Sequence, residues 1–216
     1  VMTRLLKLTL LLSLFMGTFS VAFSQPIDEW LNWYQEHMSD SIYELKKGSW
    51  NNAFSQKDSF LIGKWIKEAA VDRVKSRQDY TAAAEINQWA LSYAIVDTSL
   101  LSNCLNNEGI YRTNLGQWEA GYQAYERCLQ IDRKLNDSLS LAKSLHNISN
   151  LYMLQDDYEA ARTYLREARI INERIKNGPS LSKNLYAISV GFSRQNRWDS
   201  ATYYLSLAYR TAQRYD

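Results

Sequence analysis

The sequence predicts an all-α protein made of stacked helical hairpins, and three observations support this fold class. Only 8 Gly and 2 Pro occur in 216 residues, which leaves little material for the turns of a many-stranded β protein. Chemically similar residues recur every 40 residues in the C-terminal part of the chain. Within each recurrence the matching positions are three, four or seven residues apart, which is the spacing of one helix face.

Three 40-residue units follow one another without a gap, at residues 97–136, 137–176 and 177–216. Their matching positions include large apolar residues (Leu105, Leu145, Leu185), small residues (Gly109, Ser149, Ser189 and Gly121, Ala161, Ala201) and aromatic residues (Trp118, Tyr158, Trp198). The small residues should let two helices approach closely. We expect the aromatic residues to fill the space where each turn folds back.

Each unit is predicted to contain two helices joined by a short polar turn. The turns are Gly116-Gln117, Asp156-Asp157 and Asn196-Arg197. Short polar side chains precede the first helices and are expected to serve as N-caps, at Asp97, Asp137 and Asn177. Each unit should therefore fold as a helical hairpin.

This set of matched residues resembles the tetratricopeptide repeat, in a long variant of 40 residues. The resemblance covers residues 97–216, with three units in register. It implies a right-handed superhelical solenoid of antiparallel helical hairpins. It also implies that the first helices line a concave groove, which in this family typically receives a peptide.

The residues before the repeats are expected to extend the stack. Residues 57–96 should form a divergent hairpin of the same type, since Tyr80 and Ala83 stand 38 residues before Trp118 and Gly121. Residues 25–56 should form a helical cap over the N-terminal face. Aromatic and apolar residues lie there at helical spacing, at Trp30, Trp33, Tyr34 and Met38.

The first 24 residues have the features of a secretory signal peptide. Arg4 and Lys7 precede an apolar run, and Ala22-Phe23-Ser24 places small residues where a signal peptidase cleaves. We predict cleavage before Gln25 and a mature protein in the periplasm or cell envelope. The alternative is an uncleaved segment that anchors the protein to the membrane.

The charge of the mature chain argues against polyanionic partners. Removing residues 1–24 leaves 23 Lys+Arg against 23 Asp+Glu, so the net charge is close to zero. A neutral chain without a basic run has no electrostatic footprint for nucleic acid or for an anionic membrane surface. We therefore expect neither nucleic-acid binding nor membrane insertion after cleavage.

Catalytic motifs are absent from the sequence. The chain has two histidines, His37 and His146, and neither has the spacing of a metal site or a catalytic triad. No phosphate-binding loop, HExxH or CxxC motif occurs. We expect no enzyme activity, no cofactor and no bound metal. Cys104 and Cys128 fall on the two helices of one predicted hairpin, and two buried thiols are favoured over a disulfide.

The first repeat departs from the others at two positions. Glu108 and Arg112 stand where the later units have apolar or aromatic residues. Their spacing allows an ion pair across one helical turn. We favour an ion pair at the edge of the stack, and the alternative is a polar spot that faces a ligand.

The resemblance places a peptide-binding groove on the first-helix positions that remain after the core is assigned. They are Asn103, Asn106, Asn107 and Ile110; Lys143, His146, Asn147 and Asn150; and Lys183, Tyr186, Val190 and Arg194. Asn amides can both donate to and accept from a peptide backbone, and the three cations would attract acidic groups. Lys143 and Asn147 resemble part of a carboxylate clamp, although Ala187 lacks the expected amide. The alternative is a solvated helix face.

Two functions are consistent with these features. The first is a non-catalytic scaffold that binds proteins or peptides in the bacterial cell envelope. The second is the extracytoplasmic sensor region of a longer membrane-bound regulator with a histidine kinase or DNA-binding output domain. The last helix is expected to include exposed apolar positions among Tyr203, Leu207 and Tyr209, and these favour docking of a downstream domain on the C-terminal face.

Overall fold

Eight α-helices and no strand make up residues 58–215, the part of the chain that the computed structural model describes. They are α1 (Ser59–Arg77), α2 (Tyr80–Ala94), α3 (Thr98–Asn114), α4 (Trp118–Leu135), α5 (Ser138–Leu154), α6 (Tyr158–Arg174), α7 (Gly178–Arg194) and α8 (Trp198–Tyr215). The predicted all-α class is therefore confirmed. The predicted signal peptide, residues 1–24, and the predicted cap, residues 25–56, lie outside the described residues.

The predicted N-caps are confirmed. Asp97 accepts a hydrogen bond from the Leu100 amide at 2.6 Å, and Asp137 accepts one from the Ser140 amide at 3.0 Å. Asn177 is bonded in the same way to the amide of the third residue after it. Each bond satisfies an amide that the helix itself leaves without an acceptor, which fixes where the first helices begin.

The turns inside the hairpins share one backbone conformation. Three residues link the two helices of each of the last three hairpins, and the middle residue is left-handed: Gly116 (φ 72°), Asp156 (φ 58°) and Asn196 (φ 57°). Gly, Asp and Asn are the residues that adopt this conformation at least cost. The left-handed backbone of the middle turn residue therefore explains why Gly, Asp or Asn occurs there in the sequence.

Small residues bring the two helices of a hairpin close together, as predicted. A Cβ added to Gly109 in α3 would lie 2.4 Å from Cε1 of Tyr125 in α4. A Cβ added to Gly121 would lie 2.7 Å from Oγ1 of Thr113. The equivalent serines and alanines of the later units are also buried, at Ser149, Ala161, Ser189 and Ala201.

The hairpins stack in chain order and share their cores. The second helix of each hairpin packs against the first helix of the next one, so α2 contacts α3, α4 contacts α5, and α6 contacts α7. Leu105, Leu145 and Leu185 are all buried, as the repeat pattern requires. A core cluster between the second and third described hairpins contains Tyr125, Leu129, Leu145, Ile148, Leu151 and Ala168.

Stacked aromatic rings recur in the last two hairpins. Tyr152 lies on Tyr164 with ring centroids 5.5 Å apart, and Phe192 lies on Tyr204 at the same distance. Both rings of the second pair stand 40 residues after those of the first. These pairs join the end of each first helix to its second helix.

Two of the three aromatic residues predicted to fill the turns are exposed, whereas the third, Tyr158, is half-buried. Trp118 is 44% exposed and Trp198 is 60% exposed, so the prediction that they fill the turn is wrong. Each is the first residue of its helix, and helical side chains point back toward the N-terminus. Both side chains are therefore partly in contact with solvent near the hairpin turn.

A carboxylate is buried where α3, α4 and α5 meet. Asp132 accepts hydrogen bonds from the hydroxyls of Ser102 and Ser144, the latter at 3.1 Å. The thiol of Cys128 lies 3.5 Å from the same carboxylate. Cys104 and Cys128 are free, as favoured, and burial raises the pKa of Cys104 to about 12 and the pKa of Cys128 to about 11. Both thiols are therefore neutral near pH 7.

Candidate binding surface

The first helices of successive hairpins lie side by side. α1 contacts α3, α3 contacts α5, and α5 contacts α7, whereas no comparable contact joins successive second helices within residues 58–215. Within residues 58–215 the first helices are therefore the more closely spaced set. The twelve residues predicted as a groove lie on α3, α5 and α7, and we call their surface the first-helix face.

Charge is distributed unevenly between first and second helices. α5 and α7 contain no Asp or Glu, and the single carboxylate of α3, Glu108, is buried. Lys143, Lys183 and Arg194 of the first-helix face are exposed. The acidic residues of the last three hairpins lie mainly on the second helices and in the turns. The first-helix face is thus a cationic surface on a chain of small net charge.

One predicted surface residue is buried. Asn106 is only 2% exposed, and its side-chain oxygen accepts a hydrogen bond from Nδ2 of Asn147 at 2.8 Å. This bond joins α3 to α5 across the two hairpins. Asn106 is therefore a structural bridge below the face, because the close approach of α3 and α5 covers its amide. Its own Nδ2 has no hydrogen-bond partner within the described residues.

A second bridge joins α5, α6 and α7. Nδ2 of Asn184 lies 3.0 Å from Nδ1 of His146, and Oδ1 of Asn184 accepts from Nδ2 of Asn172 at 2.7 Å. Burial lowers the pKa of His146, and the nearby charge of Lys183 lowers it further. The sequence reasoning missed Asn172 and Asn184. The sequence indicates them only by placing a polar residue at a repeat position that faces the next hairpin.

The remaining positions divide between surface and core. Asn150 and Tyr186 are exposed, whereas Asn107 and Val190 are half-buried. Three of the predicted residues are engaged by the fold: Asn103 donates to the Ser99 carbonyl, Ile110 packs against a core cluster, and Asn147 holds Asn106. The exposed part of the face is Lys143, Asn150, Lys183, Tyr186 and Arg194.

The predicted ion pair between Glu108 and Arg112 is present, with Nε of Arg112 2.6 Å from Oε1 of Glu108. Its position differs from the expected edge of the stack. Asn87 and Gln88 of α2 also donate to Glu108, at 2.8 Å and 2.7 Å. The pair lies in the junction between the first two described hairpins, because the divergent hairpin covers this side of α3. All three donors are protein groups, so Glu108 has a structural role.

No group of three His, Cys, Asp or Glu side chains in residues 58–215 is placed to hold a metal ion. None of the helices in this part of the chain combines the length and the apolar character that crossing a membrane requires.

The fold and this surface define a class: an all-helical solenoid of stacked hairpins with one extended face. The tetratricopeptide repeat family model matches residues 101–169 and 140–214, which together span more than half of the chain. The chain therefore belongs to the tetratricopeptide repeat family. Members of this family are generally non-catalytic scaffolds, and the fold suggests a role in protein–protein interaction.

Several solved structures share the fold. BtubC (BKLC) from P. vanneervenii aligns with a TM-score of 0.68 and 16% identity over 85% of this chain and 77% of its own. MamA aligns with a TM-score of 0.54 and 14% identity over 82% and 97% of the two chains. A Rap protein complexed with Competence and Sporulation Factor aligns with a TM-score of 0.53 and 16% identity over 87% and 59%. A comparison with curated proteins finds no match.

Proposed function

We propose that the protein is a non-catalytic scaffold of the bacterial cell envelope, whose first-helix face binds an acidic protein or peptide segment. The observation that carries this proposal is the charge pattern: exposed Lys143, Lys183 and Arg194 lie on contacting helices, and α5 and α7 bear no carboxylate. Cations of one sign on one face attract acidic groups, including a terminal carboxylate. The Rap protein, solved with its bound factor, supports ligand binding by a similar fold.

Amide groups beside these cations would add recognition of the ligand backbone. Asn150 is exposed on α5, and Asn107 and Asn147 are half-buried beside it. An amide can donate and accept at once, so it pairs with a peptide bond whatever side chain follows. The cations would set the preference for acidic ligands, and the amides would hold an extended backbone.

Charge reversal tests the site. The Lys143→Glu, Lys183→Glu double variant should bind a synthetic acidic peptide with a free carboxyl terminus about tenfold more weakly, because each exposed ion pair contributes about 0.2–1 kcal/mol and reversal adds repulsion. Fluorescence anisotropy measures the Kd at low and high salt, with the same peptide amidated at its C-terminus as a second probe.

The matched control changes the same charge elsewhere. Arg127 and Lys134 are exposed on α4, a second helix, so Arg127→Glu, Lys134→Glu alters the net charge equally without touching the first-helix face. The control should bind the peptide as the unmodified protein does. Equal losses in the two double variants would refute a site on the first-helix face and indicate only a general charge effect.

Export is part of the proposal. Arg4, Lys7, the apolar run and Ala22-Phe23-Ser24 support secretion with cleavage before Gln25. Sequencing the N-terminus of protein recovered from the envelope fraction tests this, and a retained leader in that fraction would favour the membrane-anchored alternative.

A second candidate function is the extracytoplasmic sensor region of a longer membrane-bound regulator. Leu205 and Tyr209 of α8 are 50% and 64% exposed, although Leu165, one repeat before Leu205, is fully buried beneath α7. A downstream segment of the same polypeptide that packs on α8 would cover these residues. The reading frame after Asp216 distinguishes the two functions: about 20 apolar residues followed by an output domain favour the sensor.

A further inference from the structure

His146 stands at one end of a hydrogen-bonded chain that runs from the first-helix face into the protein. The ring is half-buried on α5, and Nδ1 faces Nδ2 of Asn184 on α7 at 3.0 Å. Oδ1 of Asn184 in turn accepts from Nδ2 of Asn172 on α6 at 2.7 Å. Both amides are 1% exposed, so no solvent competes for these bonds.

The direction of these bonds fixes the form of the ring. An amide nitrogen only donates, so Nδ1 of His146 must be the acceptor and the proton of the neutral ring must be on Nε2. At the far end, Oδ1 of Asn172 is buried and has no hydrogen-bond partner in the described part of the chain. The series of hydrogen bonds therefore begins at the unused acceptor Oδ1 of Asn172 and ends at Nδ1 of His146, which can bind a proton.

We propose that His146, Asn184 and Asn172 form a proton-sensitive relay that links the first-helix face to the junction between the last two hairpins. Protonation of Nδ1 places a donor against the donor of Asn184. Rotation of the Asn184 amide by half a turn presents Oδ1 to His146 and Nδ2 to Asn172. The Asn172 amide then rotates as well, and its Oδ1 accepts.

Both hydrogen bonds survive this reversal, and the group left without a partner changes from the oxygen to the nitrogen of Asn172. A buried N–H without a partner is rarer in proteins than a carbonyl without one. The reversed direction of these hydrogen bonds is therefore less stable than the observed direction. This cost adds to the burial and the charge of Lys183, which lower the pKa of His146. The neutral ring and the observed bond directions therefore belong to the ground state.

The groups around the ring are few. α7 contributes the charge of Lys183, and α5 itself carries Lys143 one turn away. α6 presents the neutral amide of Asn172, and α3 presents the neutral amide of Asn106 to Asn147. On α4, which packs against α5, the carboxylate of Asp132 is bonded to Ser144 and is not among the groups that shift the pKa of His146.

The pH dependence has a definite sign. A histidine whose folded pKa is lowered binds fewer protons folded than unfolded, so its stabilising contribution is complete above about pH 6.5. The contribution is lost as the pH falls through the lowered pKa. The free energy of unfolding should therefore fall in mild acid, although the hydrogen bonds between His146, Asn184 and Asn172 are kept in reversed direction.

Side-chain NMR tests the relay. Between pH 4.5 and 8, the side-chain amide signals of Asn184 and Asn172 should shift with the same midpoint as the His146 ring, and the neutral ring should carry its proton on Nε2. The amide of Asn103, which is bonded to the Ser99 carbonyl on α3, serves as the internal control and should not follow this midpoint.

Two variants separate the relay from general acid effects. His146→Gln removes the titrating group and should abolish the shifts of both amides. Asn184→Ala interrupts the chain, so the Asn172 amide should lose its response while His146 still titrates. If this variant does not fold, the titration of the unmodified protein and of His146→Gln decides the question. An Asn172 amide that stays constant as His146 titrates, or a neutral ring protonated on Nδ1, would overturn the relay.

Discussion

Asp132 is a buried carboxylate whose hydrogen-bond donors, within the described residues, are all uncharged. The hydroxyls of Ser102 and Ser144 donate to it, and the Cys128 thiol lies 3.5 Å away. These groups come from three helices, so one side chain ties the first 40-residue repeat to the second. The position recurs as Asn172, whose amide bonds the next junction.

Truncation of this side chain should weaken the α4–α5 junction. Asp132→Ala leaves the buried hydroxyls of Ser102 and Ser144 without their acceptor, and each unsatisfied buried polar group costs about 1–3 kcal/mol. Because the Cys128 sulfur lies 3.1 Å from both hydroxyls and can accept weakly, the total loss in the free energy of unfolding should be about 1–3 kcal/mol, measured by urea titration with circular dichroism.

Asp132→Asn is the control for the Asp132 prediction. The amide keeps one acceptor oxygen, and its new donor can be accepted by a serine hydroxyl, which both donates and accepts. We expect this variant to lose less stability than Asp132→Ala. Equal stability of Asp132→Ala and the unmodified protein would contradict a structural role for the carboxylate.

Some single residues were predictable from sequence and others were not. Asp97, Asp137 and Asn177 were predictable as N-caps because capping depends on local sequence and on one short side chain. Asn106 was assigned to the surface, yet it is buried beneath Asn147. The amount of side chain covered by a neighbouring hairpin depends on how closely the helices approach, which a periodic pattern does not specify.

At the scale of a helical hairpin, the close packing of the two helices depends on the positions of the glycines. Gly109 in α3 faces the ring of Tyr125, whereas Gly191 in α7 faces the flexible end of Met153. A Cβ would lie 2.4 Å from the ring in the first case and 3.4 Å from the sulfur in the second. The same substitution should therefore have opposite effects in the two helices.

Gly109→Ala should destabilise the protein by about 1–3 kcal/mol, because the methyl group forces Tyr125 out of a packed position. Gly191→Ala is the matched variant and should be neutral or stabilising by up to about 1 kcal/mol, since alanine favours a helix more than glycine. Thermal unfolding of the two variants under one condition measures the difference. A stabilising effect of Gly109→Ala would show that α3 and α4 are not held at this distance.

Helix type and helix order were predictable because the repeat, the caps and the turns all indicate the same hairpin. The exposure of Trp118 and Trp198 was not. Both match aromatic residues of the repeat, and the pattern alone suggested core positions. Their place as the first residue of a helix leaves both side chains partly in contact with solvent near the hairpin turn, so local geometry outweighs hydrophobicity there.

At the scale of the whole molecule, a residue is buried only where another hairpin covers it. Leu165 and Leu205 occupy equivalent positions on α6 and α8. Leu165 is fully buried in a cluster with Ala187 and Ile188 of α7, whereas Leu205 is half exposed. A comparison of Leu165 with Leu205 therefore shows how much stability a covering hairpin adds at one position of the repeat.

Leu165→Ala should cost about 2–5 kcal/mol, because it removes a fully buried side chain and leaves a cavity. Leu205→Ala should cost less than about 1 kcal/mol, since much of this side chain is in contact with water. Chemical denaturation of both variants gives the comparison. A large loss for Leu205→Ala would indicate that a partner or another part of the chain covers α8 in solution.

The class of protein could be predicted at this scale, whereas the details of the binding surface could not. Three matching units in register are sufficient to predict a tetratricopeptide solenoid, because stacking repeats a single interface. The cationic part of the face was also predictable, from Lys143, Lys183 and Arg194. The amide bridges beneath it were not, since they join residues of different hairpins and depend on the spacing of the helices.

Each junction between hairpins has its own buried polar pairing: Asn87 with Glu108, Ser144 with Asp132, and Asn172 with Asn184. The apolar contacts are similar from one junction to the next, so they alone would allow neighbours to be exchanged. A hairpin packed against another neighbour would leave Glu108 without the amide donors of Asn87 and Gln88, or Asp132 without the Ser144 hydroxyl. Because the polar pairing differs from one described junction to the next, we expect it to favour the native order of the hairpins over exchange with a hairpin from another molecule.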